Sequence, residues 1–254
     1  MSSGVSFAVV VPMYNEEQGA AQCVCAVCTA LSQFPNSTAL VVVNDGSHDR
    51  TGEILAEAAP AYERLVTVTH VKNGGYGVAL KTGARRAADM GFDYVLFMDS
   101  DLTNDPQYLP LFIEKMEHGY DIIKASRYIK GGGFSGVPAW RVSISRLGNL
   151  VARVLYGLSI HDCTNGFRAI RTVVFNRMPL LESRFPIIME ELYYAKIFGC
   201  SVTEVPNILT NRSTEQRATA FSYRPVTFWH YLKYALRAWL RIKPRDLSQN
   251  KGGY

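Results

Sequence analysis

Apolar residues fall in short unbroken runs that alternate with longer stretches of helical spacing. Residues 7–11 (FAVVV), 39–43 (ALVVV), 65–71 and 94–98 (YVLFM) each read as a strand. The first two are continuous enough to be buried on both faces, as strands of a parallel sheet are. Between them, residues 16–31, 50–59 and 78–90 predict helices, the second with Asp49 or Thr51 as its cap. This alternation predicts an α/β fold, a mostly parallel central sheet flanked by helices. The second half is less regular. It predicts a helix over 107–118, a strand at 121–124, a mobile loop from Gly131 to about Trp140, a helix over 144–158 and a last helix over 228–240. No internal repeat and no separating linker is visible, so the expected division is a body, 1–225, and a C-terminal helix with its tail, 226–254.

The ends of the first four strands carry the chemistry. They run into Pro12, into Asn44-Asp45-Gly46-Ser47, into Asn73-Gly74-Gly75-Tyr76-Gly77 and into Asp99-Ser100-Asp101. Open parallel sheets bind ligands at the carboxyl ends of their strands, so these segments predict one site. Asp99 and Asp101 sit at i and i+2, which on an extended chain project to the same side. Two carboxylates can share Mg²⁺ or Mn²⁺ and leave the rest of its shell to water and substrate phosphates. Asp45 fits turn chemistry and, at a strand end, also fits contact with a nucleotide. The glycines at 73–77 lack the spacing of a dinucleotide fingerprint and the lysine of a phosphate loop. There is no nucleophile elbow, and the five histidines lie in unrelated contexts.

Composition narrows the setting. Of 254 residues, 48% are apolar and 19% charged, which argues against disorder. The net charge of +5 is uneven: residues 1–221 carry 20 basic and 21 acidic side chains, while 222–254 carry seven basic ones against Asp246. A nucleic-acid polymer is not expected as partner, because the body lacks a basic excess. A basic tail beside a neutral body suits an anionic surface, with a membrane the first candidate. No stretch reaches the ~20 apolar residues of a membrane span, and no signal peptide is expected. The odd count of five cysteines suggests reduced thiols and a cytosolic setting. Cys23, Cys25 and Cys28 are expected as small helix residues, with Cys25 and Cys28 sharing a face, rather than as a metal cluster. In the last helix, Lys233, Arg237 and Arg241 form a basic stripe among aromatic and aliphatic residues. That helix is expected to be amphipathic, and either lies on a membrane or packs on the body.

Taken together, Val11-Pro12-Met13-Tyr14-Asn15-Glu16-Glu17, Val43-Asn44-Asp45-Gly46-Ser47 and Met98-Asp99-Ser100-Asp101-Leu102 resemble the nucleotide-sugar half of a family 2 glycosyltransferase with the GT-A fold. Ala125-Ser126-Arg127-Tyr128, Trp140-Arg141, Ser145-Arg146-Leu147-Gly148-Asn149 and Asp162-Cys163-Thr164-Asn165-Gly166-Phe167-Arg168 are similar to the polyprenyl-phosphate branch, which includes the dolichol-phosphate mannose synthases. The resemblance runs from about residue 7 to 240. It implies transfer of a sugar, with inversion, from a nucleotide-sugar (GDP-mannose first) to a polyprenyl or dolichyl phosphate, at the cytoplasmic face of a membrane. A membrane-anchoring partner is a further candidate. By position, Pro12, Tyr14, Glu16, Val43 and Asp45 would hold the nucleoside, and Asp99, Ser100 and Asp101 the metal and diphosphate. Thr103 would neighbour the metal, and Arg127, Arg141 and Ser145 would meet the acceptor phosphate or the sugar diphosphate. Arg212 and Arg217 would meet the donor phosphates. Asn44 stands where the commoner motif has a second Asp, and Glu215-Gln216-Arg217 departs from Gly-Glu-Ser-Lys.

A lipid phosphate is already an oxyanion and needs no general base, whereas arginine forks suit the binding of phosphate oxygens. The alternative for Arg127, Arg141, Arg146, Arg168 and Arg171 is surface solubility or pairing with Asp162, Glu190 and Glu191. The roles of Glu190 and Glu191 stay open, since a hydroxyl acceptor would call for a carboxylate base here. The alternatives are a UDP-sugar donor, a saccharide acceptor, or a non-catalytic nucleotide-sugar-binding subunit.

Overall fold

The computed structural model describes residues 4–34, 37–210 and 225–242. The four apolar runs form β1 (Phe7–Met13), β2 (Thr38–Asn44), β3 (Leu65–Thr69) and β4 (Tyr94–Phe97), all mutually parallel. The helices between them are α1 (Ala20–Ser32), α2 (Thr51–Ala58) and α3 (Tyr76–Asp89). After α4 (Leu109–Glu117) come β5 (Ile122–Ser126), the short β6 (Gly133–Phe134), α5 (Ala139–Tyr156), β7 (Arg168–Arg171) and α6 (Thr172–Arg177). The chain continues through α7 (Ile187–Phe198), β8 (Val202–Pro206), the short β9 (Ile208–Leu209) and α8 (Pro225–Trp239). Seven strands make the main sheet in the order β3-β2-β1-β4-β7-β5-β8. Only β7 runs antiparallel, wedged between β4 and β5.

The central strands are buried on both faces, and their alternate residues feed two cores. Phe7, Val9 and Val11 face α1, α2 and α4, whereas Ala8 and Val10 face α3 and α5 to α8. Helix α1 buries Ala20, Cys23, Val24, Val27, Cys28 and Leu31, a regular i, i+3, i+4 stripe. Each buried Val or Leu there is worth about 1.5–3 kcal/mol. The cysteine expectation is corrected in detail: Cys23 and Cys28 share the inner face and Cys25 is exposed. The stripe passes through 20, 24, 27 and 31, which turns position 25 outward.

Two of the boundaries that move have a plain physical cause. Strand β3 stops at Thr69 rather than 71, because the His70 ring turns back to Asp45 and Thr82 and Val71 is fully exposed. Helix α5 starts at Ala139, directly after Pro138, which shortens the expected loop. That loop is also tied down, since β6 pairs in parallel with β9.

Helix α8 shares the core of the body. Tyr234, Ala235 and Ala238 are buried in it, the Tyr234 hydroxyl donates to Glu182 (2.8 Å), and Lys233 pairs with the same carboxylate. Lys233 therefore turns inward, out of the expected basic stripe. Trp229, Trp239 and Leu240 remain exposed. Among the described residues, no helix is long and apolar enough to cross a membrane.

Candidate active site

Because β3, β2, β1 and β4 are adjacent and parallel, their carboxyl ends open on one edge of the sheet. The loops there are laced together by side chains accepting or donating to backbone. Asn15 N donates to Ser47 Oγ (2.9 Å), His48 N to Asn15 Oδ1 (2.8 Å) and Glu16 N to Thr51 Oγ1 (2.8 Å). Asn15 sits at φ +52°, a left-handed conformation that asparagine tolerates better than most residues. Gly46 has no substitute: its φ is +68°, and a Cβ would lie 2.5 Å from the Lys72 backbone.

The proposed nucleoside residues occupy different depths. Tyr14 is 39% exposed, with its ring edge against His48. Pro12 is half-buried beside Val43 in the β1–β2 register, and the Val43 side chain is wholly in the core, so only its backbone faces the crevice. Asp45 is buried. Its Oδ1 accepts from Gly74 N (2.9 Å) and its Oδ2 from Gly75 N (2.8 Å), while His70 Nδ1 lies 2.6 Å from Oδ1. Asp45 thereby shapes the glycine loop that closes this side of the crevice.

Asp99, Ser100 and Asp101 follow β4 and are all half-buried. Asp101 Oδ1 accepts from Thr103 N (3.1 Å) and from the Thr103 hydroxyl (2.8 Å), so Thr103 braces this carboxylate. Leu102 between them is held at φ +54°, a strained position for leucine. The buried Cys23 thiol is pushed up to about 12, by burial first and then by Asp101, Cys28, Glu16 and Asp99. All three carboxylates act electrostatically on this thiol. Among the described residues, no group of three or more His, Cys, Asp or Glu could cage a metal. Two hard oxygen donors fit Mg²⁺ or Mn²⁺ that completes its shell with diphosphate oxygens and water.

On the far side of β4 the arginines divide. Arg127 forms a fork with Asp162 (Nε–Oδ2 2.7 Å, Nη2–Oδ1 2.8 Å), and Nη2 also donates to Thr164 Oγ1 (2.9 Å). Its guanidinium lies against Tyr128 and Phe134. Tyr128 donates to Ser145 Oγ (2.7 Å), and Asn149 ties Ser145 to the backbone N–H groups of Cys163 and Thr164. Arg127 and Ser145 therefore belong to one bonded cluster, with Arg127 turned to a carboxylate. Arg141 lies near them in sequence on α5, its guanidinium over Trp140. Arg212 and Arg217 lie outside the described residues, as do Lys243, Arg245 and Lys251.

Glu190 and Glu191 are both buried and both engaged. Glu190 accepts from Leu181 N and Glu182 N, and burial holds its pKa above the usual carboxylate range despite those bonds. Glu191 grips Arg168 through Nε and through Nη2 (2.5 Å). Arg168 is 1% exposed, lies over the Phe97 ring and donates Nη1 to Gly166 O (2.7 Å). Burial alone would lower its pKa, but Glu191 keeps it above the ordinary value. Beside it, Lys124 is wholly buried and donates to Asn165 O (2.8 Å). Burial, and then the charge of Arg168, bring Lys124 down to about 8. Burial, and then the Asp99 charge, push the Tyr76 phenol well above its ordinary value, and the Arg168 charge acts against that rise. Tyr231 of α8 joins this wall: burial, followed by the charge of Asp99, raises its phenol too. Arg168 and Tyr76 lie in segments the sequence singles out and Lys124 and Tyr231 do not, but the pairing of Arg168 with Glu191 is revealed only by the juxtaposition of strand β7 with helix α7.

Comparison with known proteins agrees with this geometry. The profile of the family described as Glycosyl transferase family 2 matches residues 8–178, from β1 through the candidate metal carboxylates and Arg168 to the end of α6. The polyprenol monophosphomannose synthase of Mycolicibacterium smegmatis is 33% identical over 208 residues, 80% of this chain and 77% of that protein. The dolichol-phosphate mannosyltransferase of Pyrococcus furiosus is 31% identical over 231 residues, 90% of this chain but only 62% of its own length. Crystal structures of glucosyl-3-phosphoglycerate synthase from Mycobacterium tuberculosis share the fold. The complex of that enzyme with Mn²⁺, UDP and glucosyl-3-phosphoglycerate has a TM-score of 0.63 at 20% identity, covering 95% of this chain and 82% of that one. A mostly parallel sheet with paired aspartates at the end of its central strand, matched by the family profile over two-thirds of the chain, identifies this protein as a member of glycosyltransferase family 2 with the GT-A fold.

Proposed function

We propose that the protein transfers a sugar, mannose from GDP-mannose in the first instance, to a polyprenyl phosphate, with inversion at the anomeric carbon. The observation that carries this reading is the state of the carboxylates on the acceptor side. Between residues 127 and 210 there are five, and each is engaged: Asp162 by Arg127, Glu182 by Lys233 and Tyr234, Glu190 by backbone N–H groups, Glu191 by Arg168 and Glu204 by His161. A sugar hydroxyl acceptor would need one of them as a base, whereas a phosphate is already anionic. Its oxygen attacks the anomeric carbon as the bond to the diphosphate breaks, and no proton has to be removed. The names of the two relatives point to the same acceptor class.

In this reading Asp99 and Asp101 would hold a Mg²⁺ or Mn²⁺, whose charge offsets that of the departing diphosphate. Pro12, Tyr14, Glu16, Asp45 and the Val43 backbone line the nucleoside side, and Ser100, Arg212 and Arg217 meet the donor phosphates. Arg141, Arg127 and Ser145 meet the acceptor phosphate. The test is incubation of purified protein with Mg²⁺ or Mn²⁺, labelled GDP-mannose or UDP-glucose, and polyprenyl phosphate in detergent. Lipid-linked sugar is the expected product. A labelled free saccharide with no labelled lipid from either donor overturns the reading, and lipid labelling from UDP-glucose alone moves the donor to the uridine class.

An insoluble acceptor calls for a membrane surface, which we place at the cytoplasmic face, with or without an anchoring partner. Helix α5 supports this: Trp140, Ile144, Leu147, Val151 and Val154 recur at helical spacing, are 39–66% exposed, and lie among Arg141, Arg146 and Arg153 with no acidic residue in the helix. Apolar and basic groups together bind anionic interfaces. Replacing both Leu147 and Val154 by Glu is expected to cut sedimentation with phosphatidylserine vesicles roughly tenfold or more, given ~1 kcal/mol or more for each apolar side chain withdrawn from lipid. Both positions are exposed, so the melting temperature should be unchanged. Undiminished vesicle binding would remove α5 from the membrane surface.

A further inference from the structure

We propose that Tyr76 is a positioning residue for the Asp99 carboxylate, held in place from behind by the buried Glu191–Arg168 pair, with Gly166 keeping the gap between phenol and carboxylate clear. The inference rests on Asp99 as a metal-holding group and adds the support that orients it.

The geometry starts at Gly166. A Cβ at this position would lie 3.2 Å from Asp99 Oδ2 and 3.3 Å from the Tyr76 hydroxyl oxygen. Phenol and carboxylate therefore flank one small gap whose floor is a bare glycine. Tyr76 is the first residue of α3, and its ring stacks on Phe185 at 4.5 Å between centroids. The Arg168 charge acts on this phenol, and Arg168 is anchored on the Gly166 carbonyl that borders the same gap. A phenol O–H is a donor as well as an acceptor, so turned into the gap it can donate to the Asp99 carboxylate across it.

Arg168 is itself fixed at three points. Glu191 takes Nε and Nη2, the Gly166 carbonyl takes Nη1, and the Phe97 ring lies 4.5 Å beneath the guanidinium. Phe97 is the last residue of β4, two before Asp99. The support thus begins and ends on the strand that delivers the metal carboxylates. It holds the carboxylate against the outward pull of a bound cation, as outer-shell partners of metal ligands do.

The test replaces Tyr76 by Phe, which keeps the ring stack and deletes the hydroxyl. Free Mn²⁺ is followed by electron paramagnetic resonance as the protein is titrated in the presence of GDP and, separately, of UDP. The Mn²⁺ dissociation constant is expected to rise roughly tenfold, the lower end for loss of an outer-shell partner. The Mn²⁺ concentration for half-maximal transfer should rise in step, and kcat at saturating Mn²⁺ should recover. The melting temperature of the metal-free protein should stay within a few degrees of wild type. Gly166→Ala, which forces a methyl into the gap, should show the same weakened Mn²⁺ binding, and it decides the matter if Tyr76→Phe fails to fold. Wild-type Mn²⁺ affinity in a folded variant, with wild-type protein binding normally, overturns the positioning role alone. No protein-bound Mn²⁺ in wild type with either nucleotide overturns the metal reading, and this inference with it.

Discussion

Asp101→Ala should abolish sugar transfer, by at least about a thousandfold at saturating donor and metal. A metal holding the leaving diphosphate supplies several kcal/mol of charge stabilisation, and about 4 kcal/mol corresponds to three orders of magnitude in rate. The loss should be specific to chemistry. Asp101 is half-buried in a loop after β4, outside the two apolar cores, so the variant should fold and melt close to wild type. Thr103→Ala is the graded control. It leaves the carboxylate but removes the hydroxyl bond of 2.8 Å that orients it, and a loss of roughly fivefold is expected, in line with a net ~1 kcal/mol for one such bond. Conversion of label from nucleotide-sugar to lipid-linked sugar at several Mn²⁺ concentrations measures both. Asp101→Ala with near-normal turnover would remove the aspartate pair from the metal.

The candidate donor half of the site is legible in the chain because its determinants are local. Each of β1, β2 and β4 is an apolar run closely followed by polar residues, so recognising the strand also places the candidate ligand-facing groups. Strand β7 is different. Its residues, Arg-Ala-Ile-Arg, carry charge at both ends, and Arg168 pairs in register with Lys124 of β5, so a buried strand looks like a polar turn. Its charge is matched by Glu191, 23 residues further on, and Arg127 is matched by Asp162, 35 residues on. Pairings at that separation are set by the tertiary fold and leave no periodic trace.

Helix α5 exposes a second limit of pattern reading. Its apolar spacing announces a helix, yet Asn149, Ala152 and Tyr156 face the core while Leu147, Leu150 and Val154 face outward. Periodicity gives the stripe but not the direction in which it points. In α8 the same ambiguity resolves inward for Lys233, whose partner Glu182 lies in the loop before α7.

The other large effect expected is on stability, from Asp162→Ala. Asp162 is wholly buried. It takes the Arg127 fork and accepts from the backbone N–H groups of Arg127 (3.1 Å) and Asn165 (3.1 Å). Removing it leaves the 11%-exposed Arg127 guanidinium without its counter-ion. It also takes one anion away from buried Lys124, whose pKa of about 8 already reflects burial and the neighbouring Arg168. Breaking a buried pair on one side typically costs about 3–5 kcal/mol, which in a chain of this size lowers the melting temperature by roughly 10 °C. The pH dependence supplies an independent check. Burial would raise the Asp162 pKa, but Arg127 and then Lys124 hold it below its ordinary value. A carboxylate depressed in the folded state binds fewer protons there than in the unfolded chain, so its contribution is complete above about pH 4 and is lost as pH falls through the folded value. The gap in stability between wild type and Asp162→Ala should therefore be widest at neutral pH and narrow in acid. Thermal or urea melts of both proteins from pH 7 to pH 3 measure it, and a gap that stays constant across that range would show that the ion pair contributes nothing to the fold.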